Sequence, residues 1–120
     1  MSIVFPENWS ELKFPHVRAE LLEYLAEAAT PDLWRKTTEV EFLVHFIFDD
    51  HDFEPIDKTI GKVLLGSAEA AAMSNFVAAL SLAIGPRSKS LARLKQKDWA
   101  SVASTAAYAL AILSNRTQID

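Results

Sequence analysis

The sequence predicts an all-α protein, a compact single-domain bundle of about five helices. Three observations predict it. Apolar residues recur at helical spacing over 15–28, 68–84 and 98–113. Alanine is abundant in the two C-terminal segments, where it favours helix and lets two axes approach closely. The one run with strand-like alternation, Val40 to Phe48, has no convincing second strand to pair with. At 120 residues, half of them apolar, the chain is one domain able to bury a core. With no cysteine, it has neither a disulfide framework nor a thiolate metal site, so packing must hold it.

Residues 1–14 read as an extended arm, with Phe5, Trp9, Leu12 and Phe14 available to pin it down. Pro15 opens a helix, because its missing N–H is one of the first-turn orphans. Val17, Leu21, Leu25 and Ala28 then form its apolar stripe, with Arg18, Glu20, Glu23 and Glu27 on the solvent side. Thr30-Pro31-Asp32 signals a second start, with a capping hydroxyl, proline at N1 and an acid in the first turn. A helix beginning there carries Leu33 and Trp34, and from Val40 to Phe48 the chain is apolar on nearly all sides. That pattern suits a central buried helix as well as a buried strand, and the missing pairing partner decides for helix.

Residues 49–56 read as a loop. Ile56, Ile60, Val63 and Leu64 suggest a short helix closed by Gly66 in a left-handed C′ position. Ser67 caps the next helix, Ala68 to Ile84, which Gly85-Pro86 ends. A basic connector, 86–97, leads to a last helix capped by Asp98, with Trp99, Val102, Ala106, Leu110 and Leu113 as its seam. The domain proper spans 15–115 and a polar tail 116–120. The three tryptophans, Trp9, Trp34 and Trp99, read as core or pinning residues.

Charge narrows the range of partners. The net charge is −4, and a pI near 5.3 opposes nucleic-acid binding. A helix–turn–helix can be drawn across Thr59 to Leu80, but the acidic total works against duplex affinity. The start of the chain lacks the basic and long apolar regions of a signal peptide. The longest apolar candidate for a span, Phe42 to Phe48, falls far short of the roughly 20 residues a bilayer needs. The expectation is therefore a cytoplasmic protein with no membrane or nucleic-acid partner. Signs are also segregated along the chain. Seven of the sixteen acidic residues lie between Glu39 and Asp57, with no Lys or Arg among them. Arg87, Lys89, Arg93, Lys95 and Lys97 fall in a stretch from Ala70 to Lys97 that has no acid.

No catalytic signature stands out. Three glycines cannot build a phosphate-cradling loop, and there is no nucleophile elbow, His-Glu-x-x-His or nucleophilic cysteine. No cofactor is expected. The candidate site is the acidic loop Asp49, Asp50, Asp52, Phe53, Glu54 and Asp57, which the apolar run before it anchors at a fixed place. Such a patch points to recognition of a basic partner. Aspartates at a helix C-terminus oppose the macrodipole at a cost of about 0.3–1 kcal/mol, a bias that binding a partner would explain. The alternative is a metal site, or a small metal-dependent enzyme, using His45, Asp49 and His51. On a continuing helix, His45 and Asp49 share a face. The plainer reading makes His45 a buried neutral residue and His16 an exposed one.

Four stretches resemble a family of short bacterial proteins that includes immunity proteins of contact-dependent (polymorphic) toxin systems. They are Val44-His45-Phe46-Ile47-Phe48-Asp49-Asp50, the Ile60-Gly61 step, the Ser67 to Ala72 helix entry and Lys97-Asp98-Trp99. The resemblance covers most of the chain from Pro15 onward. It implies a non-catalytic immunity protein that binds and neutralises a cognate secreted toxin, with a nuclease as one candidate activity. On that implication Asp49, Asp50, Asp52, Glu54 and Asp57 contact a basic toxin domain, and Phe53 either anchors the contact or folds back into the core. A third reading is a homo-oligomeric adaptor that uses the alanine-rich helices as its interface.

Overall fold

The computed structural model describes residues 12–50, 56–85 and 94–117. The arm up to residue 11, the loop 51–55, the connector 86–93 and the last three residues lie outside the described residues. The expectations for Phe5, Trp9, His51, Asp52, Phe53, Glu54, Arg87, Lys89 and Arg93 fall there.

Among the described residues, four α-helices carry the fold: α1 (Pro15–Ala28), α2 (Thr37–Val44), α3 (Ser67–Ile84) and α4 (Gln96–Thr117). The all-α expectation holds, with four α-helices among the described residues where about five were expected. The expected helix after Ile56 is instead a 3-10 turn, Ile56–Thr59, followed by tight turns. The Thr59 carbonyl accepts from the N–H groups of Lys62, Val63 and Leu64, which closes the chain too tightly for an α-helix.

α1 starts at Pro15 as its sequence signals. Leu21, Leu25 and Ala28 are sealed in the core, and Val17 is half-buried. Thr30 does not cap forward: its hydroxyl donates back to the Ala26 carbonyl, and Leu33–Arg35 forms a 3-10 turn before α2 begins. α2 continues directly into a π-helix, His45–Asp50, so the ambiguous run is helical throughout. Val40, Leu43, Val44, Phe46 and Ile47 all enter the core. The Phe46 ring lies 4.5 Å from that of Tyr24 on α1.

Gly66 is the N-cap of α3 in extended backbone, not a left-handed C′ residue. Ser67 is then the first helical residue, and no side chain caps it. The left-handed positions are Gly61 (φ 85°) and Gly85 (φ 63°), the latter ending α3 as expected. Leu12 is buried, and the backbone of Lys13 and Phe14 bonds to the carbonyls of Gly61 and Lys62. That much of the arm is pinned; Phe14 itself is exposed.

α3 is long and apolar enough, by length and composition, to cross a bilayer, a candidate longer than the Phe42 to Phe48 run. In the fold one side of it packs on α4 and buries Met73, Phe76, Val77, Leu80 and Ile84. α4 lies along it. Trp99, Val102, Ala106, Ala109 and Leu113 are fully buried, whereas Leu110 is only half so. α4 starts two residues before Asp98 and runs into the expected tail. Asp98 sits in its first turn and accepts the Lys95 N–H at 3.0 Å, so it acts from inside the helix rather than as the cap.

Two charges belong to the core. Arg18 and Glu69 are both fully buried and form a bidentate pair, at 2.7 and 2.9 Å. Arg18 also donates to the carbonyls of Val63 and Leu113, while Glu69 accepts the Leu65 N–H. One guanidinium thus ties α1 to the turn before α3, to α3 itself and to the end of α4.

Candidate functional site at the end of α2

The core side of α2 and its outward side are sharply distinct. Val40, Leu43 and Val44 face inward at i, i+3, i+4, and the opposite arc of Thr38, Glu41, Phe42 and His45 is exposed. Phe42 is 58% exposed despite sitting in the most apolar run of the chain. His45 is exposed as well, which corrects the expectation of a buried histidine. His16 is exposed as expected.

The six residues from His45 to Asp50 are wound as a π-helix, a rare geometry that is frequent at functional sites. Its i→i+5 pattern sets Asp50 one turn above His45, beside Asp49. Asp49 and Asp50 occupy its last turn, which contains no basic residue.

On the far side of the acidic segment, Asp57 lies in the 3-10 turn Ile56–Thr59. Ile56 and Thr59 in that turn are buried, and the Thr59 hydroxyl donates to the Ile56 carbonyl at 2.6 Å. The segment thus leaves the core at Ile47 and returns to it at Ile56, both sealed. Of the six contact candidates, Asp49, Asp50 and Asp57 stand on these two stems. Asp52, Phe53 and Glu54 lie between them, outside the described residues.

Of the metal alternative, only His45 and Asp49 fall among the described residues, and His45 is exposed. Among the described residues, no three His, Asp or Glu side chains converge as metal ligands.

Sequence reasoning missed the buried pair, placing Arg18 in solvent. The signal was there in the spacing. Arg18 precedes Leu21, Leu25 and Ala28 at 3-4-3 intervals, and Glu69 precedes Met73, Phe76 and Leu80 at 4-3-4. A charge on each apolar stripe, opposite in sign, is the pattern of an internal ion pair. For Phe42 the signal was weaker: Thr38, Glu41 and His45 stand at i−4, i−1 and i+3 on its arc, but the aromatic alternation Phe42, Phe46, Phe48 hides that polar stripe.

Trp99 meets its expectation: it is fully buried, and its indole N–H donates to the Ala28 carbonyl at 3.1 Å. Trp34 is half-buried against the core, with the Arg35 guanidinium 4.7 Å above its ring.

Fold and site together define a class: an all-α domain with an acidic helix end set between two core-anchored stems. No family model, curated protein or solved structure is significantly similar to the chain.

Proposed function

We propose that this chain is a non-catalytic binding protein, an immunity protein that neutralises a cognate secreted bacterial toxin by covering a basic surface of it. The observation that carries the reading is the pair of buried stems, Ile47 and Ile56, that bracket the acidic segment. A loop held at both ends by the core loses less freedom on binding than a free tail, so more of its contact energy appears as affinity. The charge is concentrated: seven acidic residues and no Lys or Arg between Thr37 and Asp57. Such a patch steers a cationic partner into contact and repels nucleic acid.

The resemblance to immunity proteins of contact-dependent toxin systems favours a toxin as that partner, and a nuclease domain has the required basic groove. On this reading the protein acts in the cytoplasm, where such a toxin would meet its substrate.

The test is protection of growth. The proposal expects the adjacent gene to encode a secreted toxin, and cells expressing that toxin domain should survive when the chain is co-expressed. Protection should be lost with Asp49→Lys/Asp50→Lys/Asp52→Lys while the variant protein stays folded. Full protection by that variant would remove the acidic segment from the interface, and no protection by the native chain would remove the function.

A further inference from the structure

We propose that the outer face of α3 and α4 is the surface through which two copies of this chain pair about a two-fold axis. This surface is separate from the acidic end of α2.

The face is set apart by what it lacks. Charged residues make up 23% of the chain, yet none occurs in 70–85 or in 99–115, across most of its two longest helices. The sole charge within α3 is Glu69, which is buried against Arg18. A solvated helix face ordinarily carries charged residues. Here the exposed positions are small and uncharged instead: Ser74, Asn75 and Ala78 on α3, Ser101 and Ser104 on α4.

Against that background two large residues protrude, Leu82 (85% exposed) and Tyr108 (59% exposed). Leu82 stands at the edge of an open groove of about 490 Å³ between the helices, lined by Ala78, Ala79, Ala83, Ser101 and Thr105. Asp98 also borders the groove, and its carboxylate already accepts the Lys95 N–H.

A knob beside a hole on one face is self-complementary. Under a two-fold rotation the Leu82 of each copy enters the groove of the other, the closed geometry of an isologous dimer. Small residues let the paired helices approach closely.

Charge and size favour a second copy as the occupant. Each copy carries −4, so two copies repel over most of their surfaces, and a face poor in charge, with Asp98 at the border of its groove, is where they meet at least cost. An 18-residue helix is about 27 Å long, and two side by side are about 20 Å wide. The face is thus on the order of 500 Å² in projection. Two such faces bury on the order of 1,000 Å² in total, the size of a weak, concentration-dependent interface. A bilayer suits the face less well, because serine and asparagine interrupt it and no cation flanks Leu82 on α3.

The test is the mass in solution by sedimentation equilibrium, from micromolar to several hundred micromolar. The native chain should reach twice 13.3 kDa. Leu82→Glu, and separately Ser101→Glu, should each raise the dissociation constant at least ~10-fold, with unchanged circular dichroism. Phe42→Glu, on α2, should leave it unchanged. A native chain that stays monomeric throughout overturns the proposal, as does a dimer indifferent to both substitutions. Binding to neutral phosphatidylcholine vesicles that Leu82→Glu abolishes, without self-association, also overturns it in favour of a lipid surface.

Discussion

Arg18 and Glu69, 51 residues apart in sequence, meet as a bidentate pair with no solvent exposure on either side chain. The pair forms a charged centre in a mainly apolar core. It also hydrogen-bonds the Val63 and Leu113 carbonyls and the Leu65 N–H. Removing one partner leaves a buried charge uncompensated, a penalty of about 3–5 kcal/mol. Glu69→Gln and Arg18→Met should each destabilise the fold by that amount in denaturant titration. The double variant Arg18→Met/Glu69→Leu should recover much of the loss, since an apolar pair carries no desolvation cost. Equal instability of the double and single variants would mean that the carbonyl contacts dominate.

Trp99 links α4 to the end of α1 through its bond to the Ala28 carbonyl. Trp99→Phe keeps most of the ring but leaves that carbonyl without its indole donor. The expected loss is about 1–3 kcal/mol, read as a lower unfolding midpoint at unchanged denaturant slope.

Gly61 has φ 85°, and a β-carbon there would meet no atom within 4 Å. The cost of Gly61→Ala is then backbone strain alone, about 1 kcal/mol. A larger loss in thermal unfolding would show that the Lys13 and Phe14 backbone bonds to Gly61 and Lys62 also move.

Phe42 and Phe46 are one helical turn apart and opposite in role. Phe46 is 2% exposed and packed on Tyr24, so Phe46→Ala should cost about 3–5 kcal/mol. Phe42→Ala should change stability by no more than about 0.5 kcal/mol, because the ring is mostly in solvent. On the proposed function, with the α2 face in the interface, the same substitution should weaken binding of the proposed toxin domain at least ~10-fold, as expected of an aromatic anchor.

The helices were legible where apolar spacing and punctuation agreed, as for α1 from Pro15 and α3 up to Gly85. They were misread where a local signal had a second outlet. The Thr30 hydroxyl turns back to Ala26, Gly66 is extended rather than left-handed, and Asp98 acts from within the first turn. The Ile56 to Leu64 segment has helical spacing, but the Thr59 carbonyl gathers three N–H groups and tightens the chain into turns. At the candidate site, the anchoring of the acidic segment followed from the apolar run before it. The outward placement of Phe42 and His45 did not, although Thr38 and Glu41 share their arc: the alternation of Phe42, Phe46 and Phe48 hides that polar stripe, which the inward packing of Val40, Leu43 and Val44 reveals.

The central claim is that the carboxylates between the stems at Ile47 and Ile56 are read by a basic protein. The most direct measurement is the association rate constant between this chain and the proposed cognate toxin domain, at low and high salt. The account predicts a rate that falls steeply with ionic strength. It also predicts a ~10- to 100-fold slower rate at low salt for Asp49→Lys/Asp50→Lys/Asp52→Lys, with its circular dichroism unaltered. An association rate that neither salt nor those three substitutions changes would contradict it.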